Sequence, residues 1–145
     1  MEIRRIRQTE AEAVTDLWDE AGRSVPDGGP LKERGRRNIA ATLVLAASHP
    51  SAACFVAVAD DVVRGFVMAE LDEGLLPGRV GRVEELYARG DAGTERALVQ
   101  AALDWLWAHD VSAIRADVAL DEPGAELLES LGFQAEAARY GLYRD

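Results

Sequence analysis

The chain has a single cysteine, Cys54, among its 145 residues. A lone thiol closes no internal disulfide, and no ligand cluster accompanies it, so a disulfide scaffold and a cysteine-based metal site are excluded. Cys54 lies in the apolar run ACFVAVA and is expected to be a small buried hydrophobe rather than a nucleophile. Histidine is nearly as scarce: His49 and His109 stand alone in loop-like settings, which leaves little for a metal centre or a Ser/His/Asp triad. Long apolar runs are missing too. The longest, Ile39 to Ala47, contains Thr42 and falls far short of the roughly 20 residues of a membrane helix. The first ten residues, MEIRRIRQTE, carry charges but no apolar stretch, so no secretory signal is expected and a cytoplasmic location follows. Basic charge is in deficit: 16 Lys and Arg face 26 Asp and Glu, a net charge of −10. That balance argues against nucleic acid as a partner and is compatible with a cationic or amine substrate. The two local basic clusters, Ile3–Arg7 and Lys32–Arg37, are expected to be solvated faces of a strand and a helix.

What is present is a globular composition, 48% apolar and 29% charged, at the length of one domain. Glu2–Arg7 alternates and reads as a strand. Thr9 with Glu12 forms a capping-box pattern, opening a helix with Ala13, Val14, Leu17, Trp18 and Ala21 inward and Gly22 at its end. Ser24–Pro30 must be a loop. A second helix is expected from Leu31 to Ala47, with Ile39, Leu43 and Leu45 among its apolar positions, stopped by His49-Pro50. Ala53–Ala59 and Val62–Leu71 read as strands joined by a tight hairpin at Asp60-Asp61. Gly65 inside the second marks a bulge or a close approach. After a turn over Glu73–Gly81, Arg82–Ala88 is the fourth strand. Thr94–Ala108 is the third helix, with Ala97, Leu98, Ala101, Ala102, Trp105 and Leu106 inward and Trp107 partly exposed. Ala113–Ala119 is a fifth strand. Gly124–Leu131 is a fourth helix ended by Gly132, and Phe133–Arg144 gives one or two short strands. The order predicts an α+β fold: a mixed, mostly antiparallel sheet with a central parallel strand pair and helices on both faces.

The stretch from Gly81 to Trp107 carries the chemistry. A strand ends in a short Gly-containing turn and feeds a long helix, whose first backbone N–H groups suit an anion. Two carboxylates, Glu84 and Glu85, stand just before that turn. Strict alternation puts Glu84 and Leu86 on one face and Glu85 on the other. A carboxylate here can accept the proton that an ammonium must lose before it attacks an acyl group. The plain structural alternative is a pair of solvated strand-end residues.

The order of elements, the strand EELYA, the turn before TERALVQAALDWL and the ending AELLESLGF resemble the GNAT superfamily of acetyl-CoA-dependent N-acetyltransferases over nearly the whole chain. The resemblance implies acetyl-CoA as co-substrate and a small-molecule or peptide amine as acceptor; the charge balance and the short apolar runs lead to the expectation of no nucleic acid or membrane partner. It implies that Glu84, with Glu85 nearby, serves as base or amine contact. It implies that Leu86, Tyr87 and Ala88 pair with the pantetheine arm, a backbone N–H near Leu86 polarising the thioester carbonyl. The pyrophosphate would rest on Arg89, Gly90, Asp91, Ala92, Gly93, Thr94, Glu95 and Arg96.

Three features depart from the family's pattern. The turn ARGDAGTERAL is about three residues short by alignment on the resemblance; with Gly93 in the first glycine position, Gly90 replaces an Arg or Gln and Glu95 a Gly or Ala. Leu128 stands where a Tyr often protonates the leaving thiolate, and Asp121 replaces a frequent Asn. Tyr87, Tyr140, Tyr143 or water are the alternatives for that proton. These departures motivate a second expectation, a catalytically degenerate binding or regulatory module on the same fold. Trp107 and the C-terminal strands are the candidate surfaces for a homodimer.

Overall fold

A computed structural model describes residues 1–22, 31–72, 78–90, 92–116 and 123–136. Strand β1 (Glu2–Arg5) leads through a 3₁₀ turn, Gln8–Glu10, into helix α1 (Ala11–Ala21). Helix α2 (Glu33–Ala46) follows, then β2 (Ala52–Ala59), β3 (Val62–Asp72) and β4 (Val80–Ala88). Helix α3 (Ala92–Trp107), β5 (Ala113–Ala116) and α4 (Pro123–Ser130) complete the described elements. The five strands form one sheet in sequence order, antiparallel from β1 to β4, with β4 and β5 parallel. The α+β architecture expected from the sequence is therefore present, and α3 is the crossover that a parallel pair requires.

Two apolar layers sandwich the sheet. On one face α1 and α2 cover Cys54, Val56 and Phe66 with Val14, Leu17, Leu43 and Ala46. On the other, α3 covers Val67, Ala69, Leu71 and Val83 with Leu98, Val99, Ala102 and Leu106, and Leu128 of α4 joins that layer. Cys54 is fully buried, and burial pushes its thiol pKa up. The period-two alternation of β2 and β3 sends neighbouring residues to opposite layers.

Turn chemistry follows the residue types. Asp60 and Asp61 both have positive φ, 51° and 62°, the two-residue hairpin turn whose twist suits the flanking strands. Gly22 ends α1 in the left-handed region at φ 68°. Gly65 stands at a close approach: a Cβ there would lie 2.9 Å from the Cβ of Ala88 and 3.0 Å from the carbonyl of Tyr87. The phase of several helices differs from expectation. The start of α1 is stapled not by Thr9 and Glu12 but two residues earlier, where the Arg7 N–H donates to Glu10 Oε1 at 2.8 Å. Glu10 is fixed for that task by a bidentate bond from Arg4 (2.8 and 2.7 Å). This earlier start buries Ala11 and Thr15 and leaves Ala13 exposed. In α2, Leu43 and Ala46 are buried while Leu45 is 64% exposed. In α3, Val99 and Leu103 are buried where Ala97 and Ala101 are only half-buried. Trp107 is 54% exposed.

The basic cluster of β1 is not a solvated face. Arg4 pairs with Glu10, and Arg5 donates to the carbonyls of Ala46 (3.2 Å), His49 (2.7 Å) and Ala52 (2.9 Å), closing the C-terminal end of α2. In the second cluster Arg36 binds Asp16 and Asp19, while Lys32, Arg34 and Arg37 are exposed. Residues 133–136 carry no strand. The expected loop at Ser24–Pro30, the later part of β5, Asp121 and the rest of the tail lie outside the described residues. Among the described residues, no helix is long and apolar enough to cross a membrane.

Candidate active site beside a bulge in β4

Strand β4 does not keep a two-residue period to its end. Ala69 pairs with Val83 and Met68 with Glu84, but Phe66 pairs with Tyr87. Glu85 and Leu86 therefore oppose the single residue Val67, a β-bulge. Glu85 takes the strain of it at φ 54°, a left-handed conformation that non-glycine residues seldom hold. The bulge overturns the alternation expected here. Glu84 and Glu85 both line one pocket on the α1–α2 side, while Leu86 packs into the α3 layer.

That pocket has a volume of about 380 Å³, within the usual size of small-ligand sites. Its apolar wall comes from Trp18 of α1, Leu45 and Ala46 of α2, and Met68 of β3. Trp18 is held by stacking on Phe66, with ring centroids 5.4 Å apart and planes 18° from parallel. Its indole Nε1 is buried and has no hydrogen-bond partner among the described residues. The pocket's polar lining includes three carboxylates, Glu84, Glu85 and Glu70, together with Thr42. Glu70 is absent from the sequence-based site. The signal for it is the two-residue period Phe66, Met68, Glu70 on β3, which carries it to the face where Met68 opposes Glu84. His49, also at the pocket, accepts at Nδ1 from the N–H of Ser51 (3.0 Å). Among the described residues no Lys or Arg lines the pocket. Arg82, directly across from Glu70 in the ladder, turns to Asp72 (3.3 Å).

The β4–α3 turn is shorter than a loop with its own structure. Helix α3 begins at Ala92, so only residues 89–91 connect it to the strand; Asp91 is outside the described residues. Gly90, at φ 105°, makes the turn, and a Cβ there would meet nothing within 4 Å. Gly93 lies inside the first helical turn rather than in the loop. Arg89 is not directed at the turn. It is clasped by Glu20 at the end of α1, with contacts of 2.6, 2.8 and 3.1 Å. The Tyr87 hydroxyl donates to the same carboxylate at 2.6 Å. The guanidinium first, and the phenol second, pull the Glu20 pKa down to about 2. Arg96 reaches across to α4 and donates to Ser130 Oγ at 2.8 Å. Thr94 is buried, its Oγ1 lying 3.5 Å from the Met1 sulfur, and Glu95 is half-buried.

The structure thus gathers Glu84 and Glu85 at one pocket and leaves Leu86, Ala88 and the turn on other surfaces. Tyr87 lies on the α1–α2 side, where it packs against the layer holding Phe66. Leu128 is a core residue of the α3 layer, 8% exposed. Tyr140 and Tyr143 fall outside the described residues.

Neither a protein-family model nor a curated protein sequence matches this chain. Solved structures match it end to end. An acetyltransferase of Trypanosoma brucei is 17% identical at a TM-score of 0.76, covering 99% of each chain. A transcriptional regulator of Bacillus halodurans C-125 is 14% identical at 0.80, again with 99% of each chain covered. Aminoglycoside N-acetyltransferase AAC(6')-Iy, in complex with CoA, is 21% identical at 0.76, covering 99% of this chain and 93% of that one. Strand order, the parallel β4–β5 pair and this similarity together define the GNAT fold.

Proposed function

We propose that this protein transfers an acetyl group from acetyl-CoA to the amine of a small acceptor bound in the acidic pocket. The observation that carries the proposal is the β4 bulge, which turns two consecutive glutamates into one pocket beside the strand end. An ammonium entering the pocket gives a proton to Glu84, directly or through water. The freed amine nitrogen attacks the thioester carbonyl carbon; the N–C bond forms, the C–S bond breaks, and the nitrogen passes its second proton to water. CoA leaves as a thiolate and is protonated by water or by a tyrosine. Glu85 holds the ammonium alongside Glu84. Leu86, Tyr87 and Ala88 are assigned to the pantetheine arm by their backbone, and the pyrophosphate is assigned to Gly90 through Arg96. Support for the turn comes from the uncrowded Gly90 and the N–H groups of the first turn of α3.

Turnover measured on a panel of amines tests this. Glu84→Gln is expected to lower kcat/KM by about 100-fold or more, the usual scale for a general base. Unchanged turnover in that variant would remove Glu84 from the role.

A second reading has its own observations. Arg89 and Arg96 are engaged by Glu20 and Ser130, and Leu128 fills the core where a proton donor would sit. A binding or regulatory module on this fold accounts for these without catalysis. Calorimetry with acetyl-CoA separates the two: heat of binding followed by acetylation supports the enzyme, and no heat at high protein concentration supports the module.

A further inference from the structure

We infer that His49 is a specificity-determining residue: its imidazole Nε2–H donates a hydrogen bond to the acceptor, so the preferred acceptor is an amine that also carries an ether or hydroxyl oxygen. The inference rests on the acceptor pocket proposed above and adds a second point of recognition. His49 lines that pocket just past the end of α2. Its side chain is exposed, a setting in which a ring ordinarily turns freely, yet the residue is pinned at three atoms. Its backbone N–H donates to the Leu45 carbonyl (2.9 Å), its own carbonyl accepts from Arg5 Nη2 (2.7 Å), and its ring Nδ1 accepts from the N–H of Ser51 (3.0 Å). A backbone N–H can only donate, so Nδ1 offers its lone pair and the hydrogen of the neutral ring sits on Nε2. Protonation adds a hydrogen at Nδ1 and leaves the one on Nε2 in place. The Nε2 edge is therefore a donor in both charge states and does not take the proton of the amine.

The other polar groups at the pocket leave that edge without a rival. Glu70, Glu84 and Glu85 only accept when ionised. The Thr42 hydroxyl donates to the Asn38 carbonyl one turn back in α2 (2.9 Å), and the Trp18 indole Nε1 is buried. His49 Nε2 bonds no described residue. Among the described residues it is thus the side-chain donor that the pocket has available. An alkylamine displaces water from this N–H and returns no bond, whereas an ether or hydroxyl oxygen restores one. A site that presents a fixed donor discriminates against the analogue lacking its partner. A second ammonium offers no lone pair and gains nothing from His49. A carboxylate on the acceptor would take the same bond but is repelled by a chain of net charge −10.

The tautomer is the first test, read from long-range proton–nitrogen correlation spectra of the wild type at a pH where both histidines are neutral. His109 is the internal reference. Its Nδ1 lies 2.7 Å from the Trp105 carbonyl, which can only accept, so its hydrogen is on Nδ1. The two rings are expected to show opposite tautomers, and an Nδ1–H signal at His49 overturns the inference. Selectivity is the second test. n-Butylamine with methoxyethylamine, and n-pentylamine with methoxypropylamine, are pairs in which an ether oxygen replaces one methylene. Each is titrated by NMR into wild type and His49→Asn. Asparagine keeps an acceptor for the Ser51 N–H where Nδ1 stood and has no group where Nε2 stood; thermal melting checks its folding. Wild type is expected to bind the ether more tightly than its alkyl partner in at least one pair. His49→Asn is expected to lower that ratio by roughly three- to tenfold, the scale of one neutral hydrogen bond. A ratio that is the same in both proteins overturns the inference, as does preference for the alkylamine in both pairs. Its failure is distinct from failure of the acetyl-transfer proposal. Ether-selective binding without acetylation keeps the role of His49 and removes the reaction. Acetylation of ether and alkyl partners with equal kcat/KM keeps the reaction and removes the role, and binding of no amine overturns both.

Discussion

Glu20 shows how one side chain ties the end of the first helix to the end of the fourth strand. Its carboxylate takes both the Arg89 guanidinium and the Tyr87 hydroxyl, and its pKa falls from 4.5 to about 2. A depressed folded-state value means the unfolded chain takes up the proton first. The stabilisation is therefore complete above about pH 4.5 and is lost as pH falls from there towards 2. Glu20 and Arg89 are 39% and 48% exposed, so solvent screening keeps the pair at the scale of a surface ion pair. Glu20→Gln is expected to lower the Tm by about a degree or two at neutral pH. Near pH 2 the variant and the wild type should melt together; a constant difference across that range would show that the carboxylate's charge is not the cause. Gly65 makes a sharper test of packing. With Ala88 Cβ at 2.9 Å and backbone at 3.0 Å from the added atom, Gly65→Ala has nowhere flexible to push. It is expected to destabilise by about 1–3 kcal/mol in urea unfolding, the range for overpacking.

Single elements differ in how much of them the sequence discloses. The Asp60-Asp61 hairpin, the stop at Gly22 and the course of α3 are legible because their causes lie within a few residues. The bulge in β4 is not. Nothing in EELYA marks Glu85 as the residue with positive φ, since glycine is the usual sign and glycine is absent. Missing the bulge reverses the faces of every later residue in the strand, which is why Leu86 was expected beside Glu84. The phase of α2 was lost for a similar reason. Its end is set by Arg5, 41 residues away from Ala46 in sequence, and Leu45 faces the pocket mouth rather than the core. Arg5→Ala removes three carbonyl contacts at once. Amide hydrogen exchange over the last turn of α2 is expected to quicken, with a stability loss of about 1–3 kcal/mol for the unsatisfied groups. Exchange that accelerates equally in α3 would mean a global loss rather than an opened helix end.

For the whole molecule, the fold was more legible than the site because fold follows from the order of many elements, each readable on its own. The pocket instead depends on β3, β4, α1 and α2 meeting, and Glu70 becomes visible only through the register of β3 on β4. The same distinction decides how the turn should be tested. It has an open Gly90 and the start of a long helix, but its two arginines are directed elsewhere. A ligand that binds only the folded chain raises its stability by RT ln(1 + [L]/Kd), about 2.7 kcal/mol at a hundredfold excess over Kd. For a chain of this length that corresponds to roughly 6–10 °C in Tm. Acetyl-CoA at such an excess is therefore expected to raise the Tm by several degrees. Acetyl-pantetheine, which lacks the pyrophosphate, reports the β4 contacts alone and should raise it less at the same concentration. Equal shifts from the two compounds would mean that the pyrophosphate finds no hold at Gly90–Arg96. The strand end would then do all the binding, and the short turn would serve only to connect β4 to α3.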